Sequence, residues 1–439
     1  MSGQSAQWQA AARGLRRAGF GATGPQVDAA AGLAWPAYVD RALGSDPGAD
    51  PGALATPMPS FSPPGSPPGK KATAAARKQY NQQLSDQMSQ LSAWWLQRMA
   101  AVEQPIHEKL TLLWHNHFAT SAKKVRVAAY MAAQNEKLRT LKLGGFRPLA
   151  YAMLTDAAML RWLDGQRNTA KAPNENLARE FMELFALGHG NGYTETDVRN
   201  GARALTGWTI SPDGRTFFAA KRHDTGPKTV LDLTGNMDAA AFCDAVLAQP
   251  NSARFIAGRL WQQLASDDPP LSGTLDRLVA AYGPRRDLNA LTTAILTAPE
   301  FTSSSATIVN TPVEWLIGTV RALRIPLTDP QHRRTVDTAL KSLGQQPFYP
   351  PDVGGWPHGQ AWLSTSSAGV RLHAATTLAH AGDVSAVEDA APADRVDAAG
   401  YLIGVGAWTD RTAAALRPLA GSPPDLVAAA VNSPEYLTS

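Results

Sequence analysis

The sequence predicts a mostly α fold: one multi-helical globular domain with a small β-hairpin near 209–234 and a long Pro/Gly-rich loop near 45–70. Three observations carry this. Apolar residues recur at three- and four-residue steps, as Leu84, Met88, Leu91, Trp95 and Met99 do. Helix punctuation accompanies them, with Pro105 and Pro173 in first turns and Gly188 as a stop. Runs of β type are short: Thr216-Phe217-Phe218 and Thr229-Val230-Leu231.

The elements follow in order. Residues 6–44 read as two short helices, with Trp35-Pro36 opening the second. Residues 45–70 are rich in Pro, Gly and Ser and read as a flexible excursion outside the core. The helical core, 71–208, starts with helices near 71–101 and 105–118. It continues through 124–143 and 147–164, separated at Gly144-Gly145. After the hairpin, the C-terminal part (235–439) resumes near 238–248, 251–265, 273–282, 287–298 and 312–323. A Gly/Pro/Trp loop at 344–369 precedes the closing helices. An internal echo is present: a helix opened by Asp287-Leu288 ends in Pro299-Glu300-Phe301, and one opened by Asp425-Leu426 ends in Pro434-Glu435-Tyr436.

Composition narrows the classes. The chain has 439 residues, 44% hydrophobic, enough for one large core or two smaller ones. A net charge of +4 spread over this length, with no dense Lys/Arg run, gives no nucleic-acid surface. A single cysteine, Cys243, allows neither an intrachain disulfide nor a paired-cysteine metal or redox site. No window approaches about 18 consecutive apolar residues, so no membrane span is expected. Arg16-Arg17 looks like a twin-arginine export signal, but the apolar stretch that should follow is replaced by GFGATGPQVDAAAG. The default expectation is the cytoplasm.

Residues 173–209 carry the densest chemistry. Glu175, Glu180, Glu183 and Glu195, with Arg179, Arg199 and Arg203, surround a Gly-rich turn. Leu177, Phe181, Leu184 and Phe185 form a core stripe, and Glu180 flanks it. Arg179 is spaced for ion pairs with Glu175 and Glu183. Glu180 and Glu183 read either as a solvated charged face or as an acid/base or metal-binding pair facing a pocket. Thr194 to Asp197 reads as a capping box. Arg203 can balance the preceding acids or bind an anion.

In Leu113-Trp114-His115-Asn116-His117-Phe118 the apolar periodicity favours a helix. His115 and His117 then point roughly 200° apart and cannot share a metal ion; an extended segment would put both on one side as ligands of a divalent metal. Arg222, His223, Asp224 and Lys228 gather around a Gly-Pro turn, where His223 and Asp224 suit a base and its orienter and the cations an anionic group. Trp208 and Trp356 read as core residues or as stacking platforms for a sugar.

Together RGLRRAGFGAT, LTLLWHNHFATS, APNENLAREFMELFALGHGNGYTETDV, ARALTGWT, RHDTGPKTVL, ARFIAGRLWQQL, LTAPEF and VGGWPHGQAWLS resemble the bacterial domain-of-unknown-function family 1800. The motifs lie in the family's order over nearly the whole chain. The resemblance implies one largely helical domain over 1–439. It also implies relatives that are often exported, and often encoded beside a sulfatase-like protein as a partner. The motif positions it marks are His115, His117, Asn174, Glu175, Arg179, Glu180, Glu183, Arg203, Trp208, His223, Asp224, Lys228 and Trp356, and no catalytic role comes with them.

Three functions follow as expectations. The first is a hydrolase or transferase in which His117, Glu180, Glu183, His223 and Asp224 share one pocket. There Arg179, Arg203, Trp208, Arg222, Lys228 and Trp356 would hold an anionic or carbohydrate-like substrate. The second is a non-catalytic helical partner or scaffold for a sulfatase-like protein or a secreted polymer. The third is a metal-binding protein using His115 or His117.

Overall fold

The longest apolar periodicity in the sequence becomes the longest helix, Ala74–Ala101. In the computed structural model, which describes residues 3–63, 65, 67–69, 71–304 and 306–439, the Thr73 hydroxyl caps this helix by accepting from the Ala76 N–H. Its buried face carries Leu84, Met88, Leu91, Trp95 and Met99. The next helix, Ile106–His117, is buried on nearly all sides and joins two hydrophobic clusters. Leu113 and Trp114 enter one, with helices Phe146–Leu154, Pro250–Leu264 and Leu288–Leu296. Leu112 enters the other, with helices Ala74–Ala101, Pro312–Ala322, Pro330–Leu343 and Thr365–Ala381.

A buried ionic network locks the first two of these helices together. Glu108 accepts from Trp95 Nε1, from Arg98 Nε and from both Nε and Nη2 of Arg139. Burial raises a carboxyl pKa, but the two guanidiniums overcome it and hold Glu108 at about 2.

The twin arginines are structural. Both lie in helix Ala6–Ala18 and are buried. Arg17 donates to the carbonyls of Glu300 and Phe301, and its guanidinium lies 5.9 Å from the Phe301 ring. Arg16 does the same with Tyr436 and Thr438. The echoed Pro-Glu-aromatic segments are therefore two sockets for adjacent arginines.

Several boundaries differ from the expectation. Residues 6–44 form three helices, not two, because Pro25 starts the extra helix Gly24–Ala31 between Ala6–Ala18 and Trp35–Leu43. The predicted 147–164 helix is divided by Asp156, which caps a new start at Ala158 and Met159. Helix Pro330–Leu343 was missed; Asp329 before Pro330 is its start signal. In place of one hairpin near 209–234 there are two. Strands Trp208–Ile210 and Thr216–Phe218 pair antiparallel, and so do Lys228–Val230 and Leu233–Gly235. The turn at Ala220–Arg222 interrupts the first ladder before the second begins.

Pro64, Ser66 and Lys70 of the predicted 45–70 excursion lie outside the described residues. The first part of the excursion is anchored: Asp50 accepts backbone N–H groups of Gly52, Ala53, Glu103 and Gln104, and Trp94 Nε1 donates to Thr56 O. No helix of the described residues is long and apolar enough to cross a membrane.

Candidate functional site

Helix Asn176–Glu180 continues from Phe181 to Ala186 as a π-helix. Such widened turns are rare and leave carbonyls without their usual helical partner. The Phe185 carbonyl is taken by His117 Nε2, 2.9 Å away. A carbonyl only accepts, so Nε2 carries the proton and Nδ1 presents a lone pair. That Nδ1 is buried with no hydrogen-bond partner among the described residues. Burial, with the Arg259 charge adding to it, lowers the His117 pKa to about 3, so the ring is neutral. Trp114, Phe118, Phe146, Phe185 and Phe255 surround it.

His115 leaves the other side of the same helix. Its Nε2 accepts from the Phe348 N–H at 3.1 Å, and its ring packs on Trp95, Phe348 and Trp356. The helical arrangement separates the two histidines, and no group of three His, Cys, Asp or Glu among the described residues is placed to hold a metal ion.

The acidic cluster is organised by Arg179. Its guanidinium lies 3.2 Å from Glu175, 3.3 Å from Glu183 and 2.7 Å from Glu195. His189 Nδ1 stands 3.5 Å from the other Glu183 oxygen. Thr194 and Asp197 form the predicted capping box, with reciprocal contacts of 2.8 and 3.2 Å. Glu180 alone among these carboxylates has no hydrogen bond or ion pair within the described residues. It is half-buried. Burial raises its pKa above the usual glutamate range, Glu183 and Asp352 add to the rise, and Arg179 opposes it.

The 222–228 loop is self-contained. Asp224 takes a two-point contact from Arg203, at 2.7 and 3.2 Å. The buried Lys228 donates to the carbonyls of Asp224 and Gly226. His223 Nδ1 lies 2.9 Å from the Thr206 carbonyl, and Arg222 donates to Gln166 O. Trp208 is half-buried against Phe218. Among the described residues no hydrogen bond, ion pair or ring contact joins this loop to His117, Glu180 or Glu183. Their direct contacts sort the candidate residues into a caged histidine, an arginine-centred acidic cluster and a tied loop.

Other segments meet at Asn116, between the two histidines. Trp356 is buried, and its N–H donates to Asn116 Oδ1 at 2.7 Å. Asn116 Nδ2 donates in turn to Gln263 Oε1 at 3.2 Å. The same loop brings Asp352 within electrostatic range of Glu180. A small crevice of about 50 Å³ opens beside this junction, where Leu112, Leu113, Ile308 and Val309 line it together with Asn116, Gln263, Asp267 and Glu314. Burial raises the pKa of Asp267, and its Oδ1, 3.9 Å from His358 Nδ1, has no hydrogen-bond partner among the described residues. Sequence reasoning missed Arg259, Asn116, Gln263, Asp267 and Asp352. For Arg259 a signal existed: a cation flanking an apolar stripe with Phe255, Ile256, Gln262 and Gln263, and no carboxylate, at the three- and four-residue positions. A cavity of about 1330 Å³ lies elsewhere, beside Trp94, Arg321, Arg333 and Asp337, and none of the residues predicted for chemistry lines it.

Fold and site together define a multi-helical protein built around a caged histidine and a half-buried, unpaired glutamate. The chain belongs to the family described as Protein of unknown function (DUF1800), whose model matches residues 13–438. No curated protein and no solved structure matches it.

Proposed function

We propose that the chain is an enzyme of hydrolase or transferase type in which Glu180 transfers the proton. One observation carries this reading. Of the motif carboxylates around Arg179, Glu180 is the one without a cationic partner, and its surroundings favour the protonated form. A half-buried glutamic acid of raised pKa donates to a leaving oxygen, and its carboxylate then takes a proton from the attacking water. Glu183, held by Arg179 and facing His189, supplies the fixed negative charge behind Glu180. With Glu183 and Asp352 near, the site favours a neutral, hydroxyl-bearing, carbohydrate-like substrate over an anionic one.

The test is a panel of p-nitrophenyl glycosides, esters, phosphates and sulfates, run on the wild type and Glu180→Gln. Turnover of one class, with kcat reduced about 100-fold or more in the variant, agrees with the proposal. Turnover that the variant retains in full contradicts it.

A second reading, a non-catalytic partner for a sulfatase-like protein or a secreted polymer, draws support from Arg179, Arg203 and Lys228 being spent on internal contacts. The large groove beside Trp94 and Arg333 would be its binding face. Co-purification with such a partner supports this reading, and a stable monomer that retains no partner counts against it.

A further inference from the structure

The arginines drawn deepest into this fold have acceptors among the described residues. Arg16 and Arg17 donate to carbonyls. Arg139 donates to Glu108, Arg321 to the carbonyls of Met99, Ala100 and Val102, and Arg371 to Trp362 O. Arg259, on helix Pro250–Leu264, is half-buried and donates to no protein oxygen among the described residues. Its Nε is buried without a partner. Burial lowers its pKa, with no carboxylate opposing the shift. A half-buried guanidinium whose Nε is sealed from water and has no counter-charge is left short of an acceptor, which an anion would supply.

A second donor on the same helix is also unmatched. The chain of bonds from Trp356 N–H to Asn116 Oδ1, and from Asn116 Nδ2 to Gln263 Oε1, fixes the orientation of the Gln263 amide. Its Nε2 is left buried with no acceptor. Arg259 and Gln263 are four residues apart and share a helix face. The imidazole near Arg259, His117, is neutral and offers a lone pair, not a negative charge. Two neighbouring donors, one of them cationic, are complementary to the oxygens of a single oxyanion.

We infer that Arg259 and Gln263 form a subsite for an oxyanion, a sulfate, phosphate or carboxylate group of a ligand, at the junction of the 106–117 helix, the 250–264 helix and the Trp356 loop. The guanidinium provides charge and a planar fork, and the Gln263 amide provides a fixed neutral donor. This subsite stands independently of Glu180 as the proton donor.

The probe is inorganic sulfate, titrated into the full chain by calorimetry and by thermal melting against chloride at equal ionic strength. The wild type is expected to bind saturably and to gain a few degrees of Tm, of order 2–4 °C near saturation. Arg259→Gln is expected to lose that gain and, without sulfate, to melt at or above the wild-type temperature, because a half-buried cation without a counter-charge has been removed. Arg259→Lys keeps the charge without the fork, and Gln263→Leu removes the neutral donor. Each is expected to weaken the sulfate Kd, the lysine variant by about tenfold. An Arg259→Gln protein that keeps the sulfate response overturns the inference. So does one that melts well below the wild type or fails to fold, since Arg259 would then serve a protein partner. Unchanged Kd in both Arg259→Lys and Gln263→Leu overturns it as well.

Discussion

The Arg16 guanidinium lies 5.4 Å from the ring centroid of Tyr436 and donates to that residue's carbonyl oxygen. Its neighbour Arg17 repeats the contact with Phe301. Two adjacent arginines thus staple the first helix to two segments hundreds of residues away. Removing either leaves buried carbonyls without donors. Arg16→Ala and Arg17→Ala are each expected to cost about 2–4 kcal/mol, measured as a lower urea midpoint with unchanged slope. Lysine at either position cannot fork to two carbonyls and should recover less than half. A loss below about 0.5 kcal/mol would show that the sockets do not hold the fold.

Acid should destabilise the protein through its buried histidines. Burial lowers His107 to about 4, and His115 and His117 to about 3. Each folded pKa lies below the unfolded value, so unfolding takes up protons. Stability is full above about pH 6.5 and falls as pH drops toward the folded values. By pH 4.5 each histidine should have cost roughly 2–3 kcal/mol. Glu108 acts lower down: its folded pKa is depressed, so its contribution is present above the ordinary glutamate value and is lost toward about pH 2. Denaturant titrations at pH 7, 5.5 and 4.5 check the slope. His115→Gln and His117→Gln should flatten it, and an equally steep slope in the double variant would exclude these rings as its source.

Gly355 sets the Trp356 loop against the helix beneath it. Its φ is +89°, and a Cβ there would stand 2.4 Å from Asn116 Oδ1 and 2.6 Å from Asn116 O. Gly355→Ala must shift the loop, breaking the bond from Trp356 N–H to Asn116. We expect a loss of roughly 2–3 kcal/mol and red-shifted tryptophan emission as Trp356 meets water. An unchanged spectrum and midpoint would mean that the loop moves freely.

Much of this architecture was legible from local pattern. The 3.6-residue periodicity located Ala74–Ala101 and Ile106–His117, and the capping box at Thr194 held in detail. The helical reading of the histidine segment correctly separated His115 from His117. Tertiary facts were not legible. The sequence spacing of Arg179 and Glu183 suggested an ion pair but could not show that Glu195, from the next helix, would complete the cluster. The sequence left Arg203 either to the preceding acids or to an anion, and a loop 21 residues on supplies Asp224 as its partner. The π-helix arises where the Phe185 carbonyl finds His117 across the core, a contact that no local propensity encodes. For Arg259 the sequence showed only that its helical neighbours carry no carboxylate, and whether a distant segment supplies one is decided by the fold.

The central claim is that Glu180 is a proton donor standing apart from the ion pairs around it. The most direct test is a ¹³C-carboxyl NMR titration of the full chain, labelled in glutamate, with Glu180→Gln used to assign the resonance. The account predicts that Glu180 titrates above the ordinary glutamate value, and that Glu183→Gln moves it back down by removing the neighbouring charge. A Glu180 that titrates at or below the ordinary value, or that ignores Glu183→Gln, would contradict the account.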